Sequence, residues 1–319
     1  MEVIQVPDRP APPRFYAVAG RLLFVESPDL RLGNLIERLC AGWQLTPVVF
    51  PERPPDIHIY FLSGAAAPQI PRKLNHFRIA EDGVCYRDAA NIYLALGRSL
   101  LHLQHDDPVT VRIWLESDPG EAMLARITSF AICAALRRYG MLEIHSAGMI
   151  HPESERCVLI IGSSGTGKST LALALARAGW PYLSDDQLLL SLVGNEVEAR
   201  GFRSYFALRN ENGTLKTCFE PDSVFPTQRR QRAVPGVLLF IRLDGERETR
   251  LDKLEQLPTM MRLIRACPWA TYDTSVAEAN MAVLGALARQ TIAFDLYAGR
   301  DLLEPGRASE LLSQHIGQN

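Results

Sequence analysis

The run Gly162-Ser163-Ser164-Gly165-Thr166-Gly167-Lys168-Ser169-Thr170 lies between the apolar stretch Cys157–Ile161 and the leucine- and alanine-rich stretch Leu171–Ala178. Apolar β-branched residues, then glycines, then good helix formers predict strand, loop and helix in direct succession. That order restricts this part of the chain to an α/β unit whose loop offers backbone N–H groups and the positive end of a helix to an anion. Gly162 and Gly167 are expected to supply positive φ and close backbone approach. Lys168 is placed to reach the β- and γ-phosphates of a nucleotide, and the Ser169 hydroxyl to hold Mg2+. Only four of the 34 basic residues are lysines (Lys73, Lys168, Lys216, Lys253), which makes the one inside the loop more telling. The ligands implied are ATP and Mg2+, with residues 162–170 as the binding loop.

A chain of 319 residues has room for two domains, each with its own core. Apolar content of 47% and a net charge of −2 describe a soluble globular protein and give no electrostatic reason to expect a nucleic-acid partner. The six cysteines show no CxxC or ligand-like spacing, so they read as reduced core thiols of a cytoplasmic protein. The first residues do not resemble a secretory signal. The long apolar stretch Met123–Met141 carries Arg126, Arg137 and Arg138, which makes it a buried or amphipathic helix and not a membrane span.

Four prolines in residues 1–13 predict an irregular arm. Strands are expected within Phe15–Glu26, Asp56–Leu62, Phe77–Ala80, Val84–Tyr86, Asn91–Leu96 and Val109–Trp114, and a helix over Leu32–Trp43. Together these form a small N-terminal α+β module, residues 1–119, without evident chemistry. The polar turn Glu116–Glu121 is expected to separate it from a second domain, residues 120–319. That domain would open with a helix over Ala122–Tyr139, a strand over Leu142–Ser146 and a turn at Gly148 leading to the loop strand. A single strand over Tyr182–Leu190 is expected to pair with Glu196–Phe202 as a hairpin. A core strand (Val237–Leu243), two helices (Leu254–Arg265, Val276–Ala288), a strand (Thr291–Tyr297) and a last helix (Arg307–Ile316) complete it.

Asp185-Asp186 lies on the strand that follows the loop helix. Adjacent strand side chains point to opposite faces, so both serve one site only where the strand ends at the phosphates. Two carboxylates there answer two needs, one holding Mg2+ beside Ser169 and one accepting the proton of an attacking hydroxyl.

From His145 in Glu143-Ile144-His145-Ser146-Ala147-Gly148, through the loop, to Asp185-Asp186, the chain resembles HPr kinase/phosphorylase, whose fold is shared with phosphoenolpyruvate carboxykinases. The resemblance spans about residues 120–190. It implies a mixed-sheet kinase domain, with Asp185 as the base, Asp186 as the metal ligand, and His145 bonded to Asp185 or to the phosphates. It also implies a protein or peptide acceptor with a serine, and assembly into oligomers. The family's Glu-Ile-Arg-Gly segment has a counterpart in Glu198-Ala199-Arg200-Gly201, but too close to the aspartates, so this segment reads as a hairpin strand and phosphorylase activity is not carried over. The organisation also resembles shorter kinases found with ribosomally made peptides, some of which phosphorylate a serine of a lasso-peptide precursor.

Arginines are left to neutralise further charge. Arg203 and Arg209 flank Tyr205-Phe206, an acceptor-binding edge or core; Arg229, Arg230 and Arg232 form a basic run or a solvated loop; Arg300 follows the last strand. His151, next to Pro152, reads as part of a surface turn. Three functions fit these residues: a Mg·ATP-dependent serine kinase, a small-molecule kinase, and a nucleotide-gated module without transfer.

Overall fold

The computed structural model describes residues 14–62, 66–71, 73–80, 83–116, 119–209, 216–226, 228–243, 245 and 248–316. The proline-rich arm and parts of the turns at Asp82 and Ser117-Asp118 lie outside them. The chain divides into two compact units, residues 1–139 and 140–319.

The first unit contains β1 (Arg14–Val18), β2 (Arg21–Glu26), α1 (Leu30–Ala41), β3 (Thr46–Val48), β4 (Ile57–Leu62), β5 (Asn75–Ala80), β6 (Gly83–Arg87), β7 (Asn91–Leu96), β8 (Ser99–Gln104), β9 (Val109–Trp114) and α2 (Glu121–Arg137). The strands form one sheet in the order β3-β1-β2-β4-β9-β8-β7-β6-β5. Period-two alternation sets its buried face: Ile57, Ile59 and Phe61 on β4, Val109, Val111 and Ile113 on β9. β8 follows β7 through a tight turn in which Gly97 takes φ +57°. Its run Ser-Leu-Leu-His-Leu-Gln alternates poorly, so strand patterning misses it.

α2 belongs with this sheet. It buries Leu124, Ile127, Ile132 and Leu136 and packs on β8, β9 and α1. The Tyr139 hydroxyl donates to the Asp56 carbonyl at 2.6 Å. The boundary therefore falls between Tyr139 and Gly140, and not at residue 119. The polar turn at 116–121 joins a strand to its covering helix within one unit.

The second unit contains β10 (Leu142–Ile144), β11 (Ser146–Ile150), β12 (Cys157–Ile161), α3 (Lys168–Arg177), β13 (Tyr182–Ser184), β14 (Leu188–Val193), β15 (Glu196–Gly201), β16 (Phe206–Arg209), β17 (Lys216–Phe219), β18 (Arg232–Ala233), β19 (Pro235–Leu243), β20 (Arg250–Leu254), α4 (Gln256–Ala266), α5 (Trp269–Tyr272), α6 (Ala277–Gln290), β21 (Ile292–Ala298) and α7 (Arg307–Ile316). A mixed six-stranded sheet runs β13-β11-β12-β19-β21-β20, and an antiparallel sheet runs β10-β14-β15-β18. β12 is buried on both faces. Leu159 and Ile161 join a core with Leu188, Leu190, Leu263, Leu284 and Leu287, whereas Val158 and Ile160 join one with Leu171, Leu175, Trp180, Leu311 and Leu312. Helices thus cover both faces of the central parallel strands, which explains their continuous apolar runs.

Two expected strands are broken. Leu142–Ser146 divides at His145, where the chain passes from the four-stranded to the six-stranded sheet. Tyr182–Leu190 divides at Asp185-Asp186-Gln187, where it passes back. Gly148 is not in a turn but within β11. A Cβ there would lie 3.0 Å from Leu188 Cδ1 and 3.3 Å from Leu183 Cβ, so glycine lets the two strands approach. His151 is 1% exposed, edge-on to Trp180 at 5.0 Å, and its burial lowers its pKa. Proximity to Pro152 and to charged residues concealed that role. Burial also pushes the Cys157 and Cys267 thiols well above their ordinary range. No helix among the described residues is long and apolar enough to cross a membrane.

Candidate active site

Strand register brings three segments together. Ser146 pairs with Ile161, so His145 lies beside the start of the loop at Gly162. Gly148 pairs with Ser184 on one sheet and Ile144 with Leu188 on the other. The breaks at His145 and at Asp185–Gln187 are therefore neighbouring crossings between the same two sheets. A loop after a central parallel strand and two adjacent sheet crossings converge on one spot.

The loop is shaped by its glycines in two ways. Gly165 and Gly167 take φ +87° and +95°, and Gly167 caps α3 in the left-handed conformation without a side-chain cap. Gly162 is not left-handed, contrary to expectation; its role is space. A Cβ there would lie 2.6 Å from Thr166 Oγ1 and 3.0 Å from the Ile241 carbonyl oxygen. Gly162→Ala is expected to cost about 1–3 kcal/mol by overpacking, read as a lowered Tm, and to weaken nucleotide binding.

The Thr166 hydroxyl donates to the Ser163 carbonyl at 2.9 Å, closing the loop. Lys168 is 5% exposed, and its Nζ donates to the carbonyls of Gly162 (2.6 Å) and Ser163 (3.0 Å). A buried ammonium needs such acceptors. Ser169 is half-buried in the first turn of α3, while Ser163, Ser164 and Thr170 are exposed.

The acidic pair is split by depth. Asp185 has no exposed surface, and its Oδ2 accepts from the Ala207 backbone N–H at 2.9 Å, tying the crossing to β16. Asp186 lies shallower; its Oδ1 is 3.3 Å from His145 Nδ1 and its Oδ2 is 3.5 Å from Arg203 Nε. His145 thus pairs with Asp186, and Asp185 is the deeper of the two acids. The two aspartates occupy a bend between β13 and β14, where strict alternation no longer assigns their directions.

Arg203 is the residue whose site role the sequence only grazed. It also donates to Gln187 Oε1 at 3.3 Å and to the Tyr205 hydroxyl. The basic run is already engaged: Arg229 contacts Asp222 at 3.0 Å and the Ser204 carbonyl, and Arg232 contacts Glu198 at 3.2 Å. Phe206 is core, packed between Tyr182 and Phe219. The Arg209 side chain lies outside the described residues.

Two cavities adjoin the loop. One, of about 700 Å³, is bounded by His145, Gly162, Ser163 and Thr166 and by the end of β19 and α4. The other, of about 400 Å³, is bounded by Gly165, Gly167, Thr170 and Leu171 and by Ile241, Leu243, Ala298, Arg300 and Leu302. Both are lined mainly by apolar surface, the second more so.

The donors present suit a hard cation carried by a polyphosphate. Ser169 and Asp186 offer oxygen only, and the 3.5 Å contact to Arg203 is long enough to be exchanged. No group of three or more His, Cys, Asp or Glu side chains is gathered for a metal among the described residues. Mg2+ commonly takes one or two protein oxygens and completes its shell with phosphate and water.

No family model matches the sequence, and no curated protein matches it. Among solved structures, the chain is similar to the HPr(Ser) kinase/phosphatase from Coxiella burnetii, at 15% identity, over 54% of this chain and 95% of that one, with a TM-score of 0.33.

Proposed function

We propose that the second unit is a Mg·ATP-dependent phosphotransferase that phosphorylates a serine-type hydroxyl of a peptide or protein. The observation that carries this reading is the placement of His145, paired with Asp186, on the cavity beside the loop. A passive nucleotide sensor needs the loop but no proton acceptor beside it.

The loop amides and the start of α3 hold the triphosphate, and the 400 Å³ cavity takes the nucleoside on its apolar walls. Lys168 exchanges its loop carbonyls for phosphate oxygens. Ser169 and Asp186 would hold magnesium, which offsets charge on the phosphates. The acceptor enters the 700 Å³ cavity. Its hydroxyl oxygen bonds to the γ-phosphorus, the bond to the β–γ bridging oxygen breaks, and ADP leaves. His145, oriented through Nδ1 by Asp186, takes the hydroxyl proton. Asp185 is a positioning residue that anchors the bend to β16.

Labelled ATP with candidate peptides and hydroxylated small molecules tests the reading, and phosphate on none of them would overturn it. Asp186→Asn is expected to lower transfer by roughly 100-fold or more, as for loss of a proton-accepting pair. Asp185→Asn keeps an oxygen for the Ala207 amide and should lower it less. The reverse order in single-turnover rates would return the base role to Asp185. The cavity is also large enough for a whole small metabolite, which keeps small-molecule acceptors among the assay arms. The first unit is assigned to acceptor recognition: removing residues 1–139 should raise the acceptor KM while ATP still binds.

A further inference from the structure

The cavity on the His145 side of the loop is lined by Arg242 from the end of β19 and by Arg262 and Arg265 from α4, and no acidic side chain among the described residues lines it. Arg262 and Arg265 are three residues apart on one helix and therefore share a face. Arg262 is held in advance: its guanidinium bonds to Asp295 Oδ2 and lies 5.7 Å from the Phe240 ring centre. Arg242 stands 3.9 Å from the other oxygen of the same carboxylate. Asp295 is 4% exposed and lies on β21, beneath both arginines.

Among the described residues, one buried carboxylate, Asp295, engages two of the three guanidinium groups, Arg242 and Arg262, and Asp186 nearby is already shared between His145 and Arg203. Surplus positive charge in a concave, partly apolar site calls for an anion, and guanidinium favours a flat two-oxygen partner such as a carboxylate. The triphosphate is complemented separately, by the loop amides and Lys168.

We propose that Arg242, Arg262 and Arg265 form a carboxylate-binding subsite that selects acceptors carrying a carboxylate close to the phosphorylated hydroxyl. The inference rests on the phosphotransferase reading. The carboxylate is either a side chain beside the serine or the main-chain terminus of the peptide.

Three N-acetylated serine peptides of equal length separate these sources: one with aspartate beside the serine and a C-terminal amide, one neutral with a free terminal carboxylate on the serine, and one neutral and amidated. With labelled Mg·ATP, one acidic peptide is expected to show kcat/KM about tenfold or more above the neutral amide. Arg265→Gln, at an exposed position on α4, should erase about that tenfold preference, and Arg265→Glu should shift it toward a lysine-flanked peptide. Arg262→Gln tests the anchored member, with a melting curve as the check on folding.

Equal labelling of all three peptides removes the subsite and leaves the kinase reading intact. ATP hydrolysis with no peptide labelled removes both. A rise in the KM for ATP, with the peptide preference retained in the Arg265 variants, assigns the arginines to the nucleotide and overturns the proposal.

Discussion

Lys168→Met is expected to abolish phosphoryl transfer, lowering kcat/KM by about 1,000-fold, which corresponds to about 4 kcal/mol of lost transition-state stabilisation. The reason lies in where the ammonium rests. It is nearly buried and donates to two carbonyls of its own loop, at 2.6 Å and 3.0 Å. Those carbonyls hold the charge at the loop, and in the proposed reaction phosphate oxygens would displace them. Methionine keeps the apolar stem, one atom shorter, and removes the charge and its N–H donors, so the helix and its core contacts should survive. Lys168→Arg should be nearly as damaging, because a planar, forked guanidinium cannot reproduce the point-like ammonium's two contacts to the loop carbonyls. Stopped-flow transfer and equilibrium ATP binding, measured on the same samples, decide the matter. Transfer within tenfold of wild type would remove Lys168 from the chemistry.

Cutting the chain should have effects of similar size. Residues 140–319 are expected to form a soluble, cooperatively melting fragment, whereas residues 120–319 should aggregate. The difference is α2, whose Leu124, Ile127, Ile132 and Leu136 are buried in the first unit. Four large apolar side chains at roughly 1.5–3 kcal/mol each amount to roughly 6–12 kcal/mol of burial. That is comparable with the whole stability of a domain, about 5–15 kcal/mol. The same loss should leave residues 1–119 unfolded and residues 1–139 folded. Gel filtration and circular-dichroism melting of the four fragments test this. A monomeric 120–319 fragment beside an insoluble 140–319 fragment would hand the helix to the second unit.

Much of this was legible in the chain. Gly162–Thr170 and its flanks identify strand, loop and helix because each residue type is chosen for local backbone reasons. The hairpin at Leu188–Gly201 and the alternating strands of the first unit were readable for the same reason. What was not legible depends on partners distant in sequence. Nothing local tells that α2 covers a sheet formed before it, or that His151 is buried against Trp180. The depth of Asp185 is set by Ala207, 22 residues later. The arginine cavity was also invisible, since Arg242, Arg262 and Arg265 line it only because β19 and α4 meet there, with Asp295 contacting Arg242 and Arg262.

The paired crossings at His145 and Asp185–Gln187 have a consequence for how the chain can change length. One added or deleted residue at either bend would rotate a whole strand by half a period and pull the histidine away from its aspartate. The tip at Gly194-Asn195 instead joins β14 to β15, at a left-handed glycine with open space around it. Epitope tags and loop grafts should therefore be tolerated at that tip, and a single-residue insertion at either bend should not be.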